Sequence, residues 1–287
     1  MTASVDALRP AAAKADIGRS EPKFSLRNVG QEYPVEGQMR RVLEDVSFDV
    51  GVNETVAIIG PTGTGKSTLL RMLAGFEAPA VGEATIWSEG RQRPISPSPR
   101  IGYLFQQPAL FPWMRVRDNI LFGALHARVH NTDAELHAGA DYYIDQVGLR
   151  DAQHLFPYQI SGGMRARTAL ARVFLTHPEV LVMDESFGAL DALTRREMYT
   201  LLRDLMANSP ELTTLMVTHD VDEAITLCRT IVIISGSPGR LSAIYRSDLA
   251  GSDLPITELQ SEPDYAALKK ELLSALGKPR NYKREDN

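Results

Sequence analysis

The sequence is poor in cysteine and has no long apolar run. Cys228 is the only cysteine among 287 residues, so an intrachain disulfide and a cysteine-based metal site are excluded. A chain of this kind fits a reducing compartment, and we expect Cys228 to pack as a small apolar residue. No apolar run approaches the roughly 18–20 residues of a membrane span, and the first residues lack the apolar core of a signal peptide. These absences predict a cytoplasmic protein, either soluble or peripheral to a membrane through partners.

An excess of basic residues is also missing. Lysine and arginine total 31 against 36 aspartates and glutamates, which gives a formal net charge of −5. Because nucleic-acid-binding proteins usually show a basic excess or stripe, this balance argues against nucleic acid as a partner. The hydrophobic share of 44% is ordinary for a globular protein, and the length allows one large domain or two smaller ones.

Strand-like and helical patterns alternate along most of the chain. Residues 1–22 are Ala-rich and polar, and we expect them to be disordered. The pattern of residues 82–105 predicts a strand, Gly- and Pro-rich turns, and a second strand. Continuous apolar runs separated by helical stretches predict buried strands at residues 54–60, 179–185, 213–220 and 230–236. This alternation predicts an α/β fold with a mostly parallel sheet, and the alternating segments before residue 50 predict a small antiparallel sheet beside it.

The predicted core is interrupted once. Residues 107–177 change to Pro-rich loops and then to helical periodicity, which indicates a helical insert between two parts of the core, 23–106 and 178–245. Residues 246–287 form an extension whose polar linker leads to an amphipathic helix closed by Gly277. The leucines of this helix recur at every fourth position, at Leu268, Leu272 and Leu276.

A glycine-rich loop follows the first buried strand and precedes a helix. It fits the G-x-x-x-x-G-K-[ST] pattern, with Gly60, Pro61, Thr62, Gly63, Thr64, Gly65, Lys66 and Ser67, and Thr68 follows it. The glycines let backbone amides wrap a triphosphate, Lys66 can reach the β- and γ-phosphates, and the Ser67 hydroxyl can bind Mg²⁺. The sequence therefore predicts a site for a nucleoside triphosphate and Mg²⁺.

Two carboxylates end the next buried strand. Asp184 and Glu185 follow the apolar run of residues 180–183, and ligands bind at the carboxyl ends of strands in such sheets. Asp184 suits Mg²⁺ binding, and Glu185 can orient or deprotonate a water molecule. Taken alone, two solvated turn carboxylates would fit equally well.

Two further polar side chains follow strands at the same predicted edge of the sheet. His219 ends the run over 213–220, where it can contact a γ-phosphate. Gln106 opens the helical insert, where it can touch Mg²⁺ or the attacking water. The alternatives are a surface histidine and a polar loop residue.

A second potential anion site lies about a hundred residues after the glycine-rich loop. Ser161, Gly162 and Gly163 stand where a helix is predicted to begin, and exposed backbone amides at a helix N-terminus bind anions. A chain that binds one nucleotide at its glycine-rich loop would not need a second anion site.

Taken together, these motifs resemble the nucleotide-binding subunit of ATP-binding cassette (ABC) transporters, over roughly residues 24–245 and in the family's order. The resemblance identifies 60–67 as the P-loop, Gln106 as the Q-loop glutamine and 160–164 as the signature. It also identifies 181–185 as Walker B, 188–191 as the D-loop and His219 as the switch histidine, and it implies that Tyr33 stacks on adenine. The fold implied for residues 23–245 is a RecA-like P-loop NTPase core with an antiparallel β subdomain and an inserted α-helical subdomain.

The resemblance also implies a mechanism and a set of partners. Two cassettes, expected to be identical chains, would form a head-to-tail dimer with ATP between one P-loop and the partner's signature. Glu185 would polarise water, and Asp191 would link the two sites. Transmembrane permease subunits would be direct partners, and a periplasmic or lipid-anchored solute-binding protein an indirect one. The location implied is the cytoplasmic face of the inner membrane.

Departures from the family pattern narrow the assignment. Met164 stands where the generic signature has Gln, and Met there is familiar in the nitrate, sulfonate and taurine importer branch, which implies a small anionic solute. Ser186 replaces the usual Pro after the glutamate, so we expect a looser loop, since Ser lacks the fixed φ of proline. Trp113, with Phe111 and Met114 in a Pro-broken loop, is expected to help form a groove for a permease helix, local packing being the alternative.

Other functions stay open from the sequence alone. Within the family, the alternative is the ATPase subunit of an exporter or lipid transporter. A soluble, non-transport cassette of DNA repair or ribosomes usually carries two cassettes or long insertions, which this chain lacks. A P-loop kinase would not explain the signature, the D-loop or the water-facing Glu185.

Overall fold

The structure, a computed structural model, describes residues 22–127 and 132–277. The predicted disorder of residues 1–22 falls outside this part, apart from Pro22, and so do residues 278–287. The chain divides into two units. The first contains residues 22–73, 77–95 and 217–277, and the second contains residues 74–76 and 96–216.

The strands and helices alternate along the described chain. The strands are β1 (Phe24–Val35), β2 (Gln38–Val50), β3 (Thr55–Ile59), β4 (Val81–Ser88), β5 (Arg91–Pro94), β6 (Ile101–Leu104), β7 (Val180–Asp184), β8 (Thr213–Val217), β9 (Thr230–Ser235) and β10 (Arg240–Arg246). The helices are α1 (Lys66–Leu73), α2 (Val116–Ala127), α3 (Asp133–Gln146), α4 (Gly162–Phe174), α5 (Ala192–Ala207), α6 (Val221–Leu227), α7 (Ile256–Leu259) and α8 (Pro263–Gly277).

The first unit contains an antiparallel sheet with the strand order β2-β1-β4-β5. In β1, Phe24 and Leu26 are fully buried while Ser25 between them is partly exposed, which is the alternation that a sheet with one solvated face requires. The sequence pattern predicts only turns between the two strands of residues 82–105, whereas the structure has the additional strand β5 there. Glu89 and Gly90 both have positive φ, 53° and 76°, and so close a two-residue hairpin between β4 and β5.

A second set of strands in the same unit positions the glycine-rich loop. β3 pairs in parallel with β9, and β10 pairs antiparallel with β9. The predicted buried strands at β3 and β9 are confirmed: the apolar side chains of β3 are almost wholly buried, as their continuous apolar run requires. β10 was not predicted, because this edge strand mixes polar and apolar residues and none of its residues is buried.

The second unit contains β8, β7 and β6 as neighbours, with β6 and β7 parallel. Val180–Met183 of β7 are buried, which confirms the strand predicted from that apolar run. Helices α2, α3 and α4 pack on one another in this unit. They supply the helical periodicity that the sequence shows between residues 107 and 177.

The C-terminal helix of the described chain is α8, as its leucine spacing predicts. Leu268 and Leu272 are buried and Leu276 is partly exposed, while Tyr265 is a buried residue of the same face that the leucine pattern did not include. This face packs against α6 in the first unit. Among the helices within residues 22–127 and 132–277, none is both long enough and apolar enough to cross a bilayer.

Candidate functional site

The glycine-rich loop connects β3 to α1 in the first unit. The Lys66 ammonium donates to the carbonyl of Pro61 at 3.0 Å, and the Thr64 hydroxyl donates to the same carbonyl at 3.0 Å. Gly65 has φ +86°, in the region that glycine adopts without a steric penalty. The loop therefore folds back on itself at the helix start, with Lys66 largely buried and Pro61 exposed.

The turn between β9 and β10 packs directly against the glycine-rich loop. Gly239 approaches so closely that a Cβ atom there would lie 1.9 Å from the Thr64 carbonyl oxygen. The amide of Gly239 donates to the carbonyl of Val42, and its carbonyl accepts from the amide of Glu44. No motif predicted this contact, because Gly239 lies 175 residues after Thr64 in the sequence.

Tyr33 near the end of β1 is held by two charged side chains. Its hydroxyl donates to one carboxylate oxygen of Glu77, and Arg71 Nε donates to the other at 2.8 Å. Arg71 belongs to α1, the helix that follows the glycine-rich loop. Glu77 thus joins the predicted adenine-stacking side chain to that helix, a role for which no sequence motif gave a signal.

His219 is exposed in the turn between β8 and α6. The residue before it, Thr218, accepts the amide of Asp220 on its hydroxyl at 3.0 Å, and its own amide donates to the Ile58 carbonyl in β3 at 3.3 Å. Asp220 is the N-cap of α6 and accepts the amides of Asp222 and Glu223. The backbone on both sides of His219 is therefore fixed by hydrogen bonds.

The carboxylate pair lies in the second unit at the end of β7. Asp184 is the last strand residue, and Tyr103 of the neighbouring β6 donates to its carboxylate at 3.3 Å. Glu185 has φ +46°, so the chain leaves the strand geometry there and its two successive carboxylates need not point to opposite faces. Gln106 Nε2 lies 3.5 Å from the Glu185 carboxylate. The structure thus brings Gln106 and Glu185 together.

Ser186 gives the loop after Glu185 an anchor that its sequence did not suggest. The Ser186 hydroxyl donates to the carbonyl of Leu104 at 3.0 Å. At this position, where a looser loop was expected from the loss of proline, the structure has a side-chain hydrogen bond that can restrain the loop.

The signature lies at the N-terminus of α4 and the D-loop at the N-terminus of α5, and a side chain caps each of these helices. Ser161 is exposed and is the N-cap of α4, where its hydroxyl oxygen accepts the amide of Met164 at 3.2 Å. Asp191 is the N-cap of α5 and accepts the amides of Leu193 and Thr194. Hydrogen bonds from the backbone and side chain of Thr194 lower the pKa of the Asp191 carboxyl, so it stays charged.

The loop over residues 109–116 presents an aromatic side chain to solvent. Trp113 is 70% exposed, and its ring lies 5.5 Å from that of Phe111. The loop is pinned from inside by Asn119, which is fully buried, accepts the Phe111 amide and donates to the carbonyls of Phe111, Met114 and Arg115. Asn119 is a supporting residue that the sequence reading did not identify.

The predicted site residues divide between the two units. The first unit carries Tyr33, residues 60–68 and His219. The second carries Gln106, residues 161–163, Asp184, Glu185 and Asp191.

The chain is similar to known proteins over most of its length. A family model described as ABC transporter matches residues 43–188. The taurine import ATP-binding protein TauB of Roseobacter denitrificans is 36% identical over 256 residues, which is 88% of this chain and 93% of that protein. The nitrate import ATP-binding protein NrtD of Synechococcus elongatus is 39% identical over 211 residues, covering 73% of this chain and 75% of that protein.

A solved structure agrees with these relatives. The ATP-binding cassette MJ0796, described as a dimer in a post-hydrolysis state bound to ADP and Pi, has a TM-score of 0.67 at 25% identity and covers 78% of this chain and 98% of its own. The fold is therefore that of an ABC ATPase, as the order of the motifs predicts. The chain belongs to the ABC transporter family, as an ATP-binding and ATP-hydrolysing cassette.

Proposed function

We propose that this chain is the ATPase subunit that energises import of a small anionic solute through a separate permease. The observation that carries the hydrolytic part is the Glu185 carboxylate at the end of β7, 3.5 Å from Gln106 Nε2. Similarity to taurine and nitrate import proteins supports import and the class of solute. Sulfonate and nitrate groups are both small and spread a negative charge over several oxygens.

The nucleotide phosphates bind at residues 60–68. Lys66, now hydrogen-bonded to the Pro61 carbonyl, exchanges that partner for β- and γ-phosphate oxygens, since a charged acceptor makes the stronger bond. The glycine-rich backbone supplies further donors at the start of α1. Tyr33, oriented by Glu77, stacks on the adenine ring.

The donor set also fits Mg²⁺, which prefers oxygen ligands and usually takes only one or two from the protein. Ser67, Gln106 and Asp184 would hold it, and Tyr103 restrains the Asp184 carboxylate through its hydroxyl. When bound, the metal would neutralise charge on the phosphate oxygens.

Hydrolysis then depends mainly on positioning and charge. Glu185 orients the attacking water and accepts its proton, while Gln106 holds the carboxylate and the water in place. His219 contacts the γ-phosphate from the turn that Thr218 and Asp220 hold.

A second cassette completes each nucleotide site, and identical chains are the simplest arrangement. The exposed Ser161 hydroxyl, with Gly162 and Gly163 at the start of α4, faces the nucleotide bound to the partner's P-loop. The likeness to a dimeric cassette supports this arrangement. It accounts for two anion sites on a chain that binds one nucleotide at its P-loop, and Asp191 connects the two sites.

The permease subunits are the direct membrane partners, and the chain lies peripherally on the cytoplasmic face of the membrane. The exposed Trp113 in the loop pinned by Asn119 forms part of the surface that receives a permease helix. A solute-binding protein outside the membrane acts on this chain only through the permease.

The test is ATPase activity of the chain alone and of its complex with the permease subunits that co-purify with it. Co-purified complexes in liposomes should hydrolyse ATP faster when the solute-binding protein carries taurine, a sulfonate or nitrate than when it is empty. Stimulation by ribosomes or DNA in place of the membrane subunits would contradict the proposal. ATP-driven transport in the opposite direction would contradict the import part alone.

A further inference from the structure

The C-terminal helix α8 makes two polar contacts with a single side chain of α6. Tyr265 donates from its hydroxyl to Asp222 Oδ1 at 2.8 Å, and Lys269 donates from its ammonium to Asp222 Oδ2 at 2.8 Å. Both carboxylate oxygens of Asp222 are therefore engaged by the same helix. Tyr265 and Lys269 are four residues apart, so they lie on one face of α8.

Asp222 lies in the first turn of α6, directly after the turn that carries His219. Its amide donates to the Asp220 carboxylate at 2.9 Å, and the amide of Asp220 donates to the Thr218 hydroxyl at 3.0 Å. These hydrogen bonds, joined through the covalent structure of Asp222 and Asp220, link α8 to the two residues that flank His219.

Burial of one face of α8 holds this helix in place, so it can orient the residues to which it is hydrogen-bonded. Tyr265 is 2% exposed, and Leu268 and Leu272 are buried beside it. Burial also raises the pKa of the Tyr265 hydroxyl, so it remains a donor throughout the physiological range. The Asp222–Lys269 pair is only half-buried, which leaves it able to break without unfolding the helices.

We infer that α8 positions His219 for hydrolysis, with Tyr265 and Lys269 as positioning residues that act through Asp222. The inference rests on the proposed role of His219 at the γ-phosphate. It gives the C-terminal extension a function in the ATPase cycle beyond covering an apolar face.

The contacts favour this role over simple packing. The buried Leu268 and Leu272 already give α8 an apolar face to bury, and this burial needs no polar contact. A carboxylate in the first turn of α6 is already favourable through the helix dipole, so the presence of Asp222 there does not by itself require a partner on α8. What Tyr265 and Lys269 add is a fixed orientation of the turn at the start of α6.

The test uses full-length variants and compares kcat with KM for ATP. Lys269→Met and Tyr265→Phe should each lower kcat about five-fold with KM unchanged, the size expected for coupling through one contact. Lys269→Arg, which keeps the charge, should retain most of the activity. Lys270→Met is the matched control, because Lys270 is exposed on the same helix.

A double-mutant cycle of His219 and Lys269 distinguishes an effect of Lys269 on the position of His219 from a general loss of stability. In a His219→Ala background, single-turnover hydrolysis should be no slower with Lys269→Met than without it, since residues acting through one group are not additive. Additive losses, or equal losses from Lys270→Met, would overturn the inference. No ATPase activity in the wild-type complex would instead overturn the proposed function.

Discussion

The hydroxyl of Ser186 donates a hydrogen bond to the main-chain carbonyl of Leu104, with 3.0 Å between the two oxygens. Ser186 follows Glu185, and Leu104 lies two residues before Gln106. The bond therefore ties together the two segments that carry the pair proposed to handle water. A serine restrains this loop through its side chain, where the family usually relies on the ring of a proline.

Replacing Ser186 with Ala should loosen that connection. Loss of one partly buried hydrogen bond costs about 1 kcal/mol, which lowers Tm by about 2 °C in a chain of this size. We also expect kcat to fall about three-fold with KM for ATP unchanged. Ser274→Ala, at an exposed position of α8, is the control. Full activity of the Ser186 variant would mean that the bond does not restrain the pair.

Glu185→Gln should bind ATP normally and hydrolyse it at least ~100-fold more slowly, which corresponds to about 2.7 kcal/mol. The amide keeps the size of the side chain but cannot accept a proton from water. Phosphate release and binding of a fluorescent ATP analogue measure the two effects separately. Glu211→Gln, an exposed position, should behave as wild type. Turnover near the wild-type rate would remove Glu185 from the proposed role.

Glu77 should affect nucleotide affinity through Tyr33. Tyr33→Ala should raise KM for ATP about ten-fold through lost stacking, and Glu77→Ala about three-fold, because Tyr33 remains but is no longer oriented. Neither change should alter kcat. Glu83→Ala is exposed on β4 and serves as the control. A fall in kcat at constant KM would contradict this assignment.

Complementation between two inactive chains should reveal the composite site. Lys66→Ala disables the P-loop and Ser161→Arg disables the signature, so each variant alone should form inactive dimers. In an equal mixture, half of the dimers hold one intact site, which predicts about a quarter of wild-type activity. A mixture as inactive as its components would contradict the head-to-tail arrangement.

Trp113→Ala should weaken association with the permease and leave ATP affinity near normal. The side chain is 70% exposed, while the loop that carries it is held independently by Asn119. A pull-down with tagged permease measures the first effect and nucleotide titration the second. Tyr142→Ala, at another exposed aromatic residue, is the control. Unchanged association would place the permease contact elsewhere.

Much of the site could be predicted from the sequence, because its motifs are local. The P-loop pattern needs only a strand, a glycine-rich turn and a helix in succession, and β3 and α1 provide them. The two carboxylates at the end of β7 are predicted by a buried apolar run that leads into Asp184 and Glu185. The leucines at every fourth position predict helix α8. In each case the physical signal is confined to neighbouring residues.

The contacts that orient these groups were decided only by the tertiary structure. Glu77 meets Tyr33 across 44 residues, Ser186 meets Leu104 across 82, and Asp222 meets Lys269 across 47. Hydrogen bonds of this kind depend on which backbone segments become neighbours when strands pair and helices pack, and a single sequence carries no periodicity that reports it. The sequence alone thus determined the chemistry of this cassette, whereas the fold determined which side chains hold that chemistry in place.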